Sequence, residues 1–186
     1  MKLSTIGAEP GAPVAFWDLH GRVEQHLQES AVSAVILRSS FYMSNLLAAA
    51  KQVAREGRVY APAGEARIAM IDTRDVGAAA AAVLTTASHD GQTYVLTGRE
   101  AITYAQVAAE LSAATARHAE FVDVSDVDAT RGMIQVGMPV IAEQIVKVFA
   151  MRACALVGRV QPIHAFMISN RWEASQLSRT ADGLVE

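Results

Sequence analysis

Apolar and polar positions along this chain alternate between two rhythms. Residues 2–6 form a short run that ends at Gly7, followed by the loop Glu9, Pro10, Gly11, Ala12 and Pro13; the run predicts a strand and the loop its exit. Over 14–29, Phe16, Leu19, Val23 and Leu27 recur at helical spacing and predict a helix with those residues on one apolar stripe. Residues 33–38 are apolar and β-branched without alternation, the pattern of a strand covered on both faces in a parallel sheet.

Residues 41–55 predict one or two helical pieces ending at Gly57, and 58–61 and 67–71 predict short strands around the Pro62/Gly64 turn. Asp72 is placed to cap a helix, with Asp75 in its first turn, where the macrodipole favours an anion. That helix runs through an alanine block to about Ala87. A strand over 92–96 follows, then Thr103 with Gln106 as a capping box ahead of Val107, Ala108, Leu111 and Ala114. Residues 120–124 predict a strand, and Ser125 caps a helix over 126–135. Pro139 falls in the first turn of a last long helix reaching about Leu156, after which 157–186 lose periodicity and read as a loosely ordered tail. Strands separated by helices predict an α/β layer fold with a largely parallel sheet and flanking helices.

Composition narrows the class. A length of 186 residues, 52% apolar and 19% charged, predicts one globular domain with neither internal repeat nor flexible linker. A net charge of -3 with no Lys/Arg block argues against a nucleic-acid footprint. The single cysteine, Cys154, excludes an internal disulfide and, beside Met151, Ala155 and Leu156, reads as a small apolar residue. No apolar run nears the roughly 20 residues that span a bilayer. The amino-terminal segment is too short and polar for a signal peptide, so the expected location is the cytoplasm.

Several side chains can do chemistry. His20 and Glu24 are four residues apart and share a helix face. They read either as a proton-handling pair or as a half-buried histidine beside a solvated carboxylate. Ser4 and Thr5 end the first strand, where open α/β sheets bind ligands, or else they cap its turn. Arg38, Phe41, Tyr42 and Asn45 follow the next strand. They can line a pocket for a flat small molecule, with Asn45 donating a hydrogen bond, or form a packed loop. Asp72, Arg74 and Asp75 read as a cap with a local ion pair. His26, His89, His118 and His164 show no metal-ligand spacing, so no metal site is expected. No nucleophile elbow is present, and Trp17 and Trp172 are isolated.

Five segments together carry a resemblance. LSTIGA at 3–8 resembles an "LSSxGA" strand end, and HGRVE at 20–24 a helix segment with His or Lys and a Glu four residues on. ILRSSFYMSN at 36–45 resembles "ILRPxxFxxN", IDTRDVG at 71–77 resembles "IDxxDVA", and GQTYVLTGRE at 91–100 resembles "GxxYxLTGxE". In this order, over 3–115, they are similar to the NmrA-like family, atypical short-chain dehydrogenases that bind NAD(P). Ser39 and Gly77 depart from the family's usual proline and alanine, and the likeness fades after about Gly158.

The resemblance implies a Rossmann-like fold, NAD(P)H as cofactor, a quinone- or small carbonyl-type substrate, and oxidoreduction; relatives of the family also include cofactor-sensing regulators without turnover. It implies cofactor contacts at Ser4, Thr5 and Arg38, catalytic places at His20 and Glu24, and a substrate pocket at Phe41, Tyr42 and Asn45. In ordinary short-chain dehydrogenases a Tyr-x-x-x-Lys pair occupies the places of His20 and Glu24, and a glutamate cannot supply the lysine's positive charge. No G-x-G-x-x-G turn occurs in the chain. Residues 1–156 are accordingly expected to be the carboxyl-terminal part of such a domain, lacking the glycine-rich βαβ unit, and 157–186 its tail. Weak or no dinucleotide binding is then expected, an inactive truncated product being the extreme. The strand at 3–6 would be an exposed edge open to self-association.

Overall fold

The computed structural model describes residues 1–135, 137–138 and 142–149. The expectations for Pro139, Cys154, His164, Trp172 and the 157–186 tail lie outside these residues. In chain order the elements are β1 (Lys2–Thr5), α1 (Ala15–Glu29), β2 (Ile36–Ser39), a 3-10 segment (Met43–Ala49), α2 (Ala50–Glu56), β3 (Arg58–Ala61), α3 (Thr73–Thr85), β4 (Thr93–Leu96), α4 (Tyr104–Thr115), β5 (Glu120–Asp123) and α5 (Asp126–Gln135). Residues 142–149 are also helical.

The chain divides into two compact units. The first holds Met1–Met43 and Ala69–Ala101; the second holds Ser44–Ile68 and resumes at Ile102. Their segments interleave, so no Pro/Gly-rich linker marks the boundary and composition reads as one domain. The strands likewise form two separate sheets, ordered β1-β2-β4 and β3-β5. Both are parallel throughout.

In the first unit the strands have helices on both faces. Side chains alternate along a strand. Val35, Leu37 and Leu96 therefore pack on one face with Ile71 and with Val76 and Ala79 of α3. Asp72 caps α3, its Oδ1 accepting from Arg74 N at 2.8 Å. Lys2, Ser4 and Arg38 alternate onto the opposite face, where the side chains of Ser4 and Arg38 meet α1. Among the described residues β1 pairs with β2 alone and is an edge strand, as expected, with Leu3 46% exposed.

In the second unit β3 and β5 pair with Arg58 opposite Glu120. The expected capping box starts α4: Thr103 Oγ1 accepts from Gln106 N at 3.2 Å, and Gln106 Oε1 from Thr103 N at 2.9 Å. Tyr104 then packs on Phe121 and Phe149, with ring centroids 5.8 and 5.6 Å apart.

Two expectations are corrected. Residues 67–71 are not a strand; Ile68 bridges to Ile102 and Ile71 to Tyr42 as isolated contacts, each inside its own unit. The apolar stripe of α1 is not its buried face: Phe16, Leu19 and Val23 are 38, 61 and 41% exposed, and Leu27 is half-buried. The helix buries Trp17, Gly21 and Glu24 instead. Periodicity selects the greasier face on the premise that charges stay in water; a carboxylate that finds a cationic partner breaks that premise.

Candidate functional site

Two glycines set the approach of α1 to β1. Gly7 leaves the strand in a left-handed turn at φ +87°, and a Cβ there would lie 2.8 Å from Cδ2 of Trp17. Gly21 sits in the helix where a Cβ would lie 2.2 Å from the Glu9 carbonyl carbon and 2.5 Å from Pro10 N. Only a residue without a side chain admits the 9–10 loop against this helix face. The loop is also tied to the helix, since Asp18 Oδ1 accepts from Gly11 N at 2.7 Å.

Glu24, one turn further along α1, is the centre of a polar cluster. Its side chain is 3% exposed, against 32% for Arg38. Arg38 Nε donates to Oε1 and Oε2 at 3.2 and 3.1 Å, and Nη2 to Oε2 at 2.5 Å. Ser4 Oγ donates to Oε1. Ser4 stands opposite Arg38 in the β1–β2 register, so two neighbouring strands present both partners to one carboxylate. Burial of the charge is thereby matched by a guanidinium fork and a hydroxyl.

His20 lies one turn before Glu24. Its Nδ1 is 2.9 Å from Lys2 Nζ and 3.4 Å from Ser4 Oγ. Burial of the ring and the adjacent Lys2 ammonium hold His20 below the ordinary imidazole value of 6.5, against the opposing pull of Glu24. Lys2 is itself lowered by burial and by Arg38, with Glu24 opposing.

The structure thus brings Ser4, His20, Glu24 and Arg38 together, and adds Lys2. Thr5 lies next to them on β1 but on the other face, its Oγ1 donating to Ile6 O at 3.1 Å. Opposite Thr5 in register is Ser39, whose Oγ is buried without a hydrogen-bond partner among the described residues. Tyr42 packs against the first unit's core, and the Phe41 carbonyl accepts from Ile71 N at 2.9 Å. Asn45 belongs to the second unit, on the exposed 3-10 segment. Sequence reasoning missed Lys2 and Ser39. Strand alternation places Lys2 on the face of Ser4 and was the available signal; the reach of the lysine to a helix 18 residues on had none.

A parallel sheet with helices on both faces and polar side chains at its carboxyl end belongs to the Rossmann-like class. The chain belongs to the NmrA-like family, which it matches over residues 4–177, beyond the point where the motif likeness fades. It is 38% identical over 134 residues to NAD(P)H azoreductase of Xenophilus azovorans, covering 72% of this chain and 47% of that protein. With quinone oxidoreductase 2 of Escherichia coli (strain K12) it is 33% identical over 128 residues, 69% of this chain and 45% of that one. The chain therefore spans about half the length of the curated relatives it matches.

Among solved structures, the NADPH-dependent quinone oxidoreductase of Escherichia coli complexed with NADPH superposes with a TM-score of 0.76 at 25% identity, covering 99% of this chain and 64% of that one. Citrobacter sp. triphenylmethane reductase complexed with NADP(H) shares the fold, with a TM-score of 0.75 at 18% identity, covering 95% of this chain and 63% of that one. No helix among the described residues is long and apolar enough to cross a membrane.

Proposed function

We propose that this chain forms the substrate side of an NAD(P)H-dependent oxidoreductase for quinone- or small carbonyl-type acceptors, with His20 as the hydrogen-bond donor to the reacting oxygen. The observation that supports this most is the buried Ser4–Glu24–Arg38 network, which fixes the helix turn carrying His20 against the sheet. Spending a buried charge cluster on one helix turn is expected where orientation matters, because apolar packing would supply stability as well.

The nicotinamide, when bound, supplies the hydride. Thr5 and the Ser39 hydroxyl, without a hydrogen-bond partner among the described residues, sit at the carboxyl end of the parallel strands and fit its amide and ribose as hydrogen-bonding groups. Ser4 and Arg38, committed to Glu24, act behind them by positioning. Glu24 takes no proton in this scheme and cannot replace a cofactor-holding lysine; its work is to hold Arg38 and Ser4. His20 stabilises the oxygen that gains charge as the acceptor is reduced. The chain's own residues contain no G-x-G-x-x-G turn, so the pyrophosphate grip that such a turn supplies is not among them.

The test is NADPH oxidation by the purified 186-residue chain with a quinone panel, alongside NADPH titration followed by fluorescence or heat. Quinone-dependent turnover with a KM for NADPH above about 1 mM, the upper end of the usual range, is expected. Micromolar binding would refute the weak-grip part of the reading. Binding without turnover would replace the enzyme with a dinucleotide-sensing regulator, and neither binding nor turnover would end the oxidoreductase reading for this chain.

A further inference from the structure

We propose that Lys2 is a positioning residue that holds His20 as the neutral imidazole with its proton on Nε2. An ammonium has three N–H donors and no acceptor, so its hydrogen bond to His20 Nδ1 at 2.9 Å requires a bare, lone-pair-bearing Nδ1. The ring proton is then on Nε2.

The competing tautomer has one outlet among the described residues. If Nδ1 carried the proton, it could donate to Ser4 Oγ, whose own proton is given to Glu24. That contact is 3.4 Å, beyond the usual N–H···O range, and it would set an N–H against the Lys2 ammonium. The shorter, charge-assisted bond decides the tautomer. Protonating the ring meets the same obstacle, since an imidazolium would place a second cation beside Nζ.

The charges around the ring come from three elements: Lys2 on β1 and Glu24 on α1 itself act on His20, and Arg38 on β2 acts on Lys2 and Glu24. The guanidinium pairs with Glu24, and the push of Lys2 on the ring exceeds the opposing pull of that carboxylate. Lys2 Nζ is held at its root by a further donation to Leu3 O at 3.3 Å.

The consequence deepens the proposed role of His20 and rests on it only for its meaning in turnover. A neutral Nε2–H donor polarises an oxygen without transferring a full positive charge, as the neutral histidine of triosephosphate isomerase does. It stays available across neutral pH, where an imidazolium would be titrating.

Nitrogen-15 NMR of the ring reads the tautomer without cofactor or turnover, with His20→Gln assigning the signal. The wild-type chain at neutral pH is expected to show a pyridine-like Nδ1 and a protonated Nε2. Lys2→Met should lower the Nε2–H to Nδ1–H ratio about tenfold, the factor one charge-assisted hydrogen bond carries, and move the ring's titration upward. Lys2→Arg keeps a cationic donor and should retain most of the ratio. A protonated Nδ1 in the wild-type chain, or a Lys2→Met chain with unchanged tautomer and titration, overturns the proposal. Loss of quinone turnover with the tautomer as described would count against the function alone.

Discussion

Removing Arg38 should destabilise the first unit more than neutralising Glu24, although both changes break the same ion pair. Arg38→Met leaves a carboxylate whose side chain is 3% exposed with the Ser4 hydroxyl as its remaining hydrogen-bond donor among the described residues. Stranding one partner of a buried pair costs about 3–5 kcal/mol. Glu24→Gln keeps an oxygen that can accept from Arg38 and Ser4, and the guanidinium, 32% exposed, can turn toward water. The loss there is the difference between charged and neutral hydrogen bonds, about 1–2 kcal/mol. At about 2–4 °C per kcal/mol for a chain of this size, the midpoint should fall by roughly 6–20 °C for Arg38→Met and about 2–8 °C for Glu24→Gln. Calorimetry on both variants measures the difference. The double variant Glu24→Met/Arg38→Met, with neither charge left, should lie closer to wild type than Arg38→Met does, because matched apolar side chains avoid the desolvation cost. If Arg38→Met lost no more than Glu24→Gln, the carboxylate would be reaching water and the account of a buried, clamped Glu24 would be wrong.

The remaining predictions concern the helix approach and the histidine. Gly21→Ala and Gly77→Ala both gain about 1 kcal/mol of helix propensity. A Cβ at Gly77 meets nothing within 4 Å, so that variant should be more stable, whereas at Gly21 the 2.2 Å backbone clash adds overpacking of about 1–3 kcal/mol or more and reverses the sign. Denaturant midpoints for the two variants check this, and equal shifts would remove the close approach of the 9–10 loop. The depressed His20 titration sets a pH response. Above pH 6.5 the ring is neutral folded and unfolded; as pH falls below 6.5 the unfolded chain takes the proton first, so stability is lost until the folded ring protonates too. His20→Gln should flatten the stability profile on that acid flank, measured by denaturant titration between about pH 5 and 7.5; an unchanged profile would contradict the ring's desolvated setting.

Local order was readable from local chemistry. The capping box at Thr103 and Gln106, the Asp72 cap and the Gly57 stop act within a few residues, and the structure shows each of them. Strand existence followed from local apolar runs for five segments, whereas 67–71 carried the pattern without becoming a strand. Four residues of the candidate site, Ser4, His20, Glu24 and Arg38, were also visible as chemistry-bearing groups near strand ends and on one helix face.

Pairing and burial were not readable, because they are set by residues far apart in the chain. Strand pattern states that a segment is extended and says nothing of its neighbour, so the split into two sheets waited for the fold. On α1 the apolar rhythm pointed to Phe16, Leu19 and Val23, while Glu24 became interior only because Arg38, 14 residues on, and Ser4, 20 residues back, converge on it. A charge is placed inside by its partners, and the partners are delivered by the parallel register of β1 and β2. Tertiary structure alone therefore decided which face of the helix is buried in the polar cluster, while the sequence had already determined which side chains were available to build it.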